Sequence, residues 1–189
     1  MNNCLNIIIQ KITLIKAIIF TVLFISFYAL INFSEIGVAG LLRATNGANI
    51  LDFEFGYNQE EAYRVLIDLG VEGRLFYQSK ILPLDFLLPF IYMLFFVGWF
   101  ALLIKYAVRT DYYKYLLLIP VFTMLFDWIE NAGIIAMLNS YPNIAVWAVM
   151  LASIFGMLKT VFTIVNVVIF IVLFIFFMLK NSPTRTGTL

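Results

Sequence analysis

Residues 116–138 read LLLIPVFTMLFDWIENAGIIAML, long and apolar enough to cross a bilayer, with two acids and an amide set into the second half. About 20 apolar residues span the ~30 Å hydrocarbon layer as a helix. Asp127, Glu130 and Asn131 stand at i, i+3 and i+4, so one helical face carries all three, and Thr123 extends the stripe by a turn. Charged side chains at membrane depth are costly and mark functional positions by default. Two ionised carboxylates in that setting require a partner or a proton. Trp128 lies between them in sequence but on another face.

The rest of the chain has the same character. Of 189 residues, 63% are hydrophobic, 17% aromatic and only 12% charged, and the mean hydropathy is +1.00. Soluble domains run nearer ~45–50% apolar and ~25% charged, and 20 Phe residues cannot all hide in a core this small. A soluble protein, a disordered chain and a nucleic-acid binder are thereby excluded. Twelve Lys+Arg against 11 Asp+Glu leave no net field to recruit a polyanion. Cys4 is the single cysteine and histidine is absent, which excludes a thiol pair, a zinc-type cluster and an imidazole base. No metal and no cofactor is expected, and any catalysis must use carboxylates, Lys, Tyr or Arg.

Three further apolar stretches meet the length requirement, predicting an all-α, polytopic membrane four-helix bundle. The first span covers about 12–33; its run is too long for a signal peptide and no A-x-A site follows, so it is read as retained. The second covers 84–104, with Lys105 and Arg109 just beyond. The last stretch, 144–179, is 36 residues long and interrupted only by Lys159. At 1.5 Å per residue it would measure ~54 Å, too long for one untilted span and too short for two joined by a loop. The spacing predicts an interfacial helix over 143–155, a bend at Gly156 and a fourth span at 157–179, with five spans as the alternative.

Lys11, Lys16, Lys105, Arg109, Lys114, Lys180 and Arg185 fall at one end of such a bundle. The loop over 34–82 holds Arg43, Arg64, Arg74 and Lys80 against seven acids. By the positive-inside rule both termini are expected in the cytoplasm and the loop outside. That loop is too long to be structureless. Asn58 to Glu61 read as a helix start, with an N-cap side chain and acids at the positive end of the dipole, and Gly70 as its end. A second helix is predicted from Val71 toward Pro83. Residues 51–55, LDFEF, alternate like a strand with nothing to pair with, and are read as an extended segment against the membrane.

Lys159 is the natural counter-ion for the acids of span three. From the outer end of span four its flexible stem can carry the ammonium inward to Glu130. Ser153, Gly156, Thr160, Thr163 and Asn166 recur every three or four residues around it, so the two polar stripes should face each other. Asp85 and Tyr92 in span two, with Tyr28 and Asn32 in span one, complete the lining. The candidate ligand-binding residues are Asp127, Glu130, Asn131, Lys159, Asp85 and Tyr92; no catalytic residue is assigned. Two plainer readings stand beside this one. Ser, Thr and Asn between membrane helices commonly act as packing glue worth ~1 kcal/mol, and Asp85 after Pro83 fits a helix cap.

Phe55-Gly56-Tyr57, Glu60-Glu61-Ala62-Tyr63, Leu69-Gly70, Glu72-Gly73-Arg74, Tyr77 and Leu84-Asp85, followed by Asp127-Trp128-Ile129-Glu130-Asn131, resemble an uncharacterised bacterial four-span membrane protein family. That resemblance implies a bacterial inner (plasma) membrane and no particular activity. In layout, with a long helical first loop, prolines around the start of span two and acids inside span three, the chain is also similar to the EXPERA family of sterol isomerases and sigma-2-type receptors. The histidine of the isomerase members is absent here, so this resemblance implies binding rather than isomerisation.

The expectation is an integral membrane protein with an intramembrane polar pocket for a small amphipathic or lipid-like ligand. A membrane lipid or lipid-like small molecule is then the partner, and no nucleic acid. The alternative is a non-enzymatic structural or assembly subunit, in a homo-oligomer or larger membrane complex, whose polar groups only fix helix packing. A proton-coupled transporter is a third reading, weakened by the lack of an internal repeat.

Overall fold

The computed structural model describes residues 2–107 and 111–181, and every regular element among them is helical. The order is α1 (Asn2–Lys11), α2 (Leu14–Phe33), α3 (Val38–Ala44), a 3-10 turn (Leu51–Phe53), α4 (Gln59–Asp68), α5 (Gly70–Phe76), a π turn (Tyr77–Ile81), α6 (Leu82–Ala107), a 3-10 stretch (Asp111–Leu117), α7 (Leu118–Ser140) and α8 (Val146–Asn181). Four of these stretches are long and apolar enough to cross a membrane. Arg109 and Arg185, two of the basic residues used for orientation, lie outside the described residues.

The fourth span corrects the sequence reading. There is no interfacial helix ending at a Gly156 bend: α8 runs unbroken from Val146 to Asn181. A continuous helix satisfies its own backbone throughout, which is what a low-dielectric setting rewards, and excess length is taken up by tilt or by protruding ends. The second span is also longer than predicted. The rod from Gly70 to Ala107 continues through Pro83, because the π turn closes with the Leu82 N–H on Tyr77 O just before the residue that has no N–H to give. Asp85 therefore sits within this rod and caps nothing. The segment before α2 is helix α1. Lys105 Nζ donates to Gln10 O and Ile12 O, 3.2 Å each, supplying partners at the C-terminal end of α1.

The loop helices form much as predicted. Asn58 accepts from the Glu61 N–H at 3.0 Å while Glu61 reaches back to the Asn58 N–H at 2.8 Å, a complete capping box. Gly70, at φ +63°, makes the left-handed turn between α4 and α5. Residues 51–55 differ: Leu51–Phe53 is a 3-10 turn with Leu51 buried. Arg74 lies 3.9 Å over the Tyr141 ring and donates to Leu66 O at 2.6 Å, tying α4 and α5 to the α7–α8 turn.

Two apolar cores occupy the ends of the bundle. One gathers Leu41, Leu51, Leu66, Tyr77, Ile134 and Met137 under the loop. The other gathers Leu5, Ile12, Ala17, Phe100, Leu117 and Leu173 at the α1 end. Thr123, Asp127, Glu130, Asn131 and Asn166, all buried, belong to neither and form a polar layer. The α7–α8 seam is close because Gly133 faces Ala148 and Ala152; a Cβ at 133 would come within 2.8 Å of the Ala152 Cβ. In contrast α2 packs mainly on α6, with only Ala17 and Ile31 fully buried.

Candidate functional site

Lys159 is the centre of the polar layer. Its ammonium is 2.5 Å from Glu130 Oε2, 3.8 Å from Asp127 Oδ1 and 3.9 Å from Asp52 Oδ1. It stands 13 residues into α8, about 20 Å from the Val146 end, level with Glu130 rather than outward of it. Gly156, one turn earlier, is where the Glu130 carboxylate fits: a Cβ there would lie 2.5 Å from Oε1. The glycine predicted as a bend is a space for the acid.

Span three holds the remaining groups in register. Tyr92 Oη donates to Asp127 Oδ2 at 3.2 Å, and Asn131 Nδ2 reaches Asp127 Oδ1 at 3.4 Å. Asn131 Nδ2 also donates to the Asp85 backbone O at 3.2 Å. That carbonyl lost its i+4 donor because residue 89 is proline inside α6. Trp128 Nε1 donates to the next carbonyl, Phe86 O, at 2.9 Å, so span three braces the proline site from two positions.

Asp52 is the member sequence reading missed. Its 3-10 turn brings it from the loop onto Lys159, and Tyr77 Oη donates to its other oxygen. An aspartate between Leu51 and Phe53 in a segment without a partner strand was the one available signal. Tyr57, also from the loop, is buried, and its N–H donates to Ser153 Oγ at 2.9 Å. Burial, then the nearby Glu130 and Asp52 carboxyls, pushes its phenol well above its ordinary range, so it stays a neutral hydroxyl.

A cavity of about 400 Å³ opens beside this cluster. Asp52, Asp85, Asp127 and Lys159 form its polar side, Tyr28, Ile31 and Asn32 of α2 and Thr160, Thr163 and Ile164 of α8 its flanks, and Val38, Ile50 and Phe53 its loop side. It thus lies between spans one and four, over spans two and three. The loop contributes Val38, Ile50, Asp52 and Phe53 to its wall. Of the six predicted residues, Asp127, Lys159 and Asp85 line the cavity, while Glu130, Asn131 and Tyr92 stand behind as their supports. Ser153 and Asn166 act as packing groups, the latter donating to Thr123 Oγ1 at 2.8 Å.

Two of the lining residues, Asp52 and Asp85, each have a buried carboxyl oxygen, Oδ1 and Oδ2 respectively, that accepts no hydrogen bond among the described residues. Buried acceptors are normally satisfied, and exceptions need a cause. Four carboxyl groups around one ammonium reach neutrality only by taking up protons or a cationic group. No set of His, Cys, Asp and Glu among the described residues is arranged to hold a metal ion. Compared with protein families, with curated proteins and with solved structures, the chain matches none.

Proposed function

We propose that the cavity between α2 and α8 binds a small amphipathic or lipid-like molecule whose polar head donates hydrogen bonds. The observation that carries this reading is a space of about 400 Å³ with Asp52, Asp85, Asp127 and Lys159 in its wall, two of whose carboxyls, Asp52 and Asp85, each keep a buried oxygen with no hydrogen-bond donor among the described residues. A mostly apolar surface with a few convergent polar groups is the usual make-up of a small-molecule site. Tyr28, Thr163 and Ile164 are exposed on the flanks, so the ligand reaches the head-group site from the bilayer between α2 and α8. Lys11, Lys16, Lys105, Lys114 and Lys180 sit at the opposite end from the loop, which supports cytoplasmic termini and an outward-facing cavity.

The test is the set of small molecules that co-purify with the full chain in mild detergent. An amphiphile retained by the wild type should be lost from Thr163→Trp, which fills the cavity, and weakened in Glu130→Gln, which loosens Lys159. Equal retention by all three, with unchanged stability, sinks the proposal. The second reading, a structural subunit, draws on the Asn166–Thr123 and Tyr57–Ser153 bonds, which use polar groups for packing alone. It expects Asp127→Asn to dissociate or destabilise the protein with no change in retained molecules.

A further inference from the structure

We infer that the opposite end of the bundle carries a second, independent site, for an anionic glycerophospholipid, in the groove that α1 makes with α2, α6 and α7. Helix α1 is amphipathic: Leu5 is buried and Ile8 half-buried against the bundle, while Asn3, Gln10 and Lys11 are exposed, and it contains no acid. Such a helix lies along the membrane surface. The groove beside it has a volume of about 440 Å³, with walls from Ile8, Phe20, Met93, Val97 and Val121. Among the described residues, Lys11 and Lys16 are the only polar side chains lining it, and no carboxyl group does.

The shape matches one leaflet. Met93 stands 12 residues before Lys105, whose ammonium touches the end of α1. That places the groove floor about 18 Å below the surface helix, close to half the ~30 Å hydrocarbon layer. At the mouth, Lys16 Nζ donates to Lys11 O at 2.9 Å, while the Lys11 ammonium has no ion pair or hydrogen bond among the described residues. Each ammonium has three donors, so both have capacity left for phosphate oxygens. A soluble phosphate would leave the apolar walls uncovered, and a zwitterionic lipid would bring a like charge to two lysines. An anionic lipid satisfies both.

The experiment uses the full chain in mixed micelles of phosphatidylglycerol or phosphatidylcholine with identical acyl chains, read by native mass spectrometry and by the thermal unfolding midpoint. Phosphatidylglycerol should be retained and should raise the midpoint more than phosphatidylcholine does. Lys11→Gln with Lys16→Gln should cut its retention at least tenfold, whereas the Lys11→Arg with Lys16→Arg pair should keep it. Lys114→Gln, which removes a charge at the same end but outside the groove, should leave retention unchanged, as should Thr163→Trp in the other cavity. A loss in Lys114→Gln as large as in the double variant means a diffuse field and overturns the site. Equal stabilisation by glycerol phosphate alone overturns it as well, and so does unchanged retention when Val97→Trp fills the groove. Should that variant not fold, the arginine and glutamine pairs decide.

Discussion

Replacing Gly156 by Ala separates a glycine that makes room from a glycine that bends. A Cβ at 156 would lie 2.5 Å from Glu130 Oε1, and ordinary contact begins near 3.4 Å, so the carboxylate must retreat by about 0.9 Å. Moving away from Lys159, it would open the 2.5 Å ion pair toward about 3.4 Å. At an effective dielectric of ~20 the lost attraction is about 2 kcal/mol. Alanine recovers about 1 kcal/mol of helix propensity, leaving a net destabilisation of about 1 kcal/mol. In a Glu130→Ala background the clash is gone, and the same replacement should stabilise by up to about 1 kcal/mol. The four-protein cycle, read by reversible unfolding in mixed micelles followed by circular dichroism, should therefore give a coupling of about 2 kcal/mol. A coupling below about 0.5 kcal/mol refutes the reasoning, because a hinge glycine would cost the same whatever stood at 130.

Lys159→Met leaves three buried carboxyls without their cation and should cost about 3–5 kcal/mol in the same assay, with much of it regained when Glu130→Gln is added. A loss under about 1 kcal/mol would mean the ion pairs do not hold the layer together. Asn131→Ala orphans the Asp85 carbonyl and should cost about 1–3 kcal/mol. In a Pro89→Ala background the restored N–H can serve that carbonyl, so the cost should shrink; equal costs in the two backgrounds would remove the bracing role assigned to the amide.

The all-helical layout was legible because its signals are local and strong: apolar runs of spanning length, an Asn58 capping box, and Gly70 at a helix end. The acids of span three and Lys159 were legible too, since a charge inside an apolar run stands out and helical spacing fixes its face. Asp52 was not. Its place in the cluster depends on how a 49-residue loop folds back over the bundle, a long-range outcome with no periodic trace. The break assumed at Gly156 failed for another reason. Length and a glycine suggested a bend, but the glycine's role is set by a side chain on a different helix. Likewise, the cavity's true position between α2 and α8 follows from how loosely α2 packs, which no one helix encodes.

The short turn joining α7 to α8 has a consequence for biogenesis. On insertion scales a central Asp or Lys opposes membrane integration by ~2.5–3.5 kcal/mol each. Threaded singly, α7 would enter lipid with two acids and α8 with a bare ammonium. Delivered together as a hairpin already zipped along Gly133, Ala148 and Ala152, they present Glu130 and Lys159 to the bilayer as a matched pair. The translocation machinery then handles one nearly neutral unit, and the order of helix release becomes part of how this sequence reaches its fold.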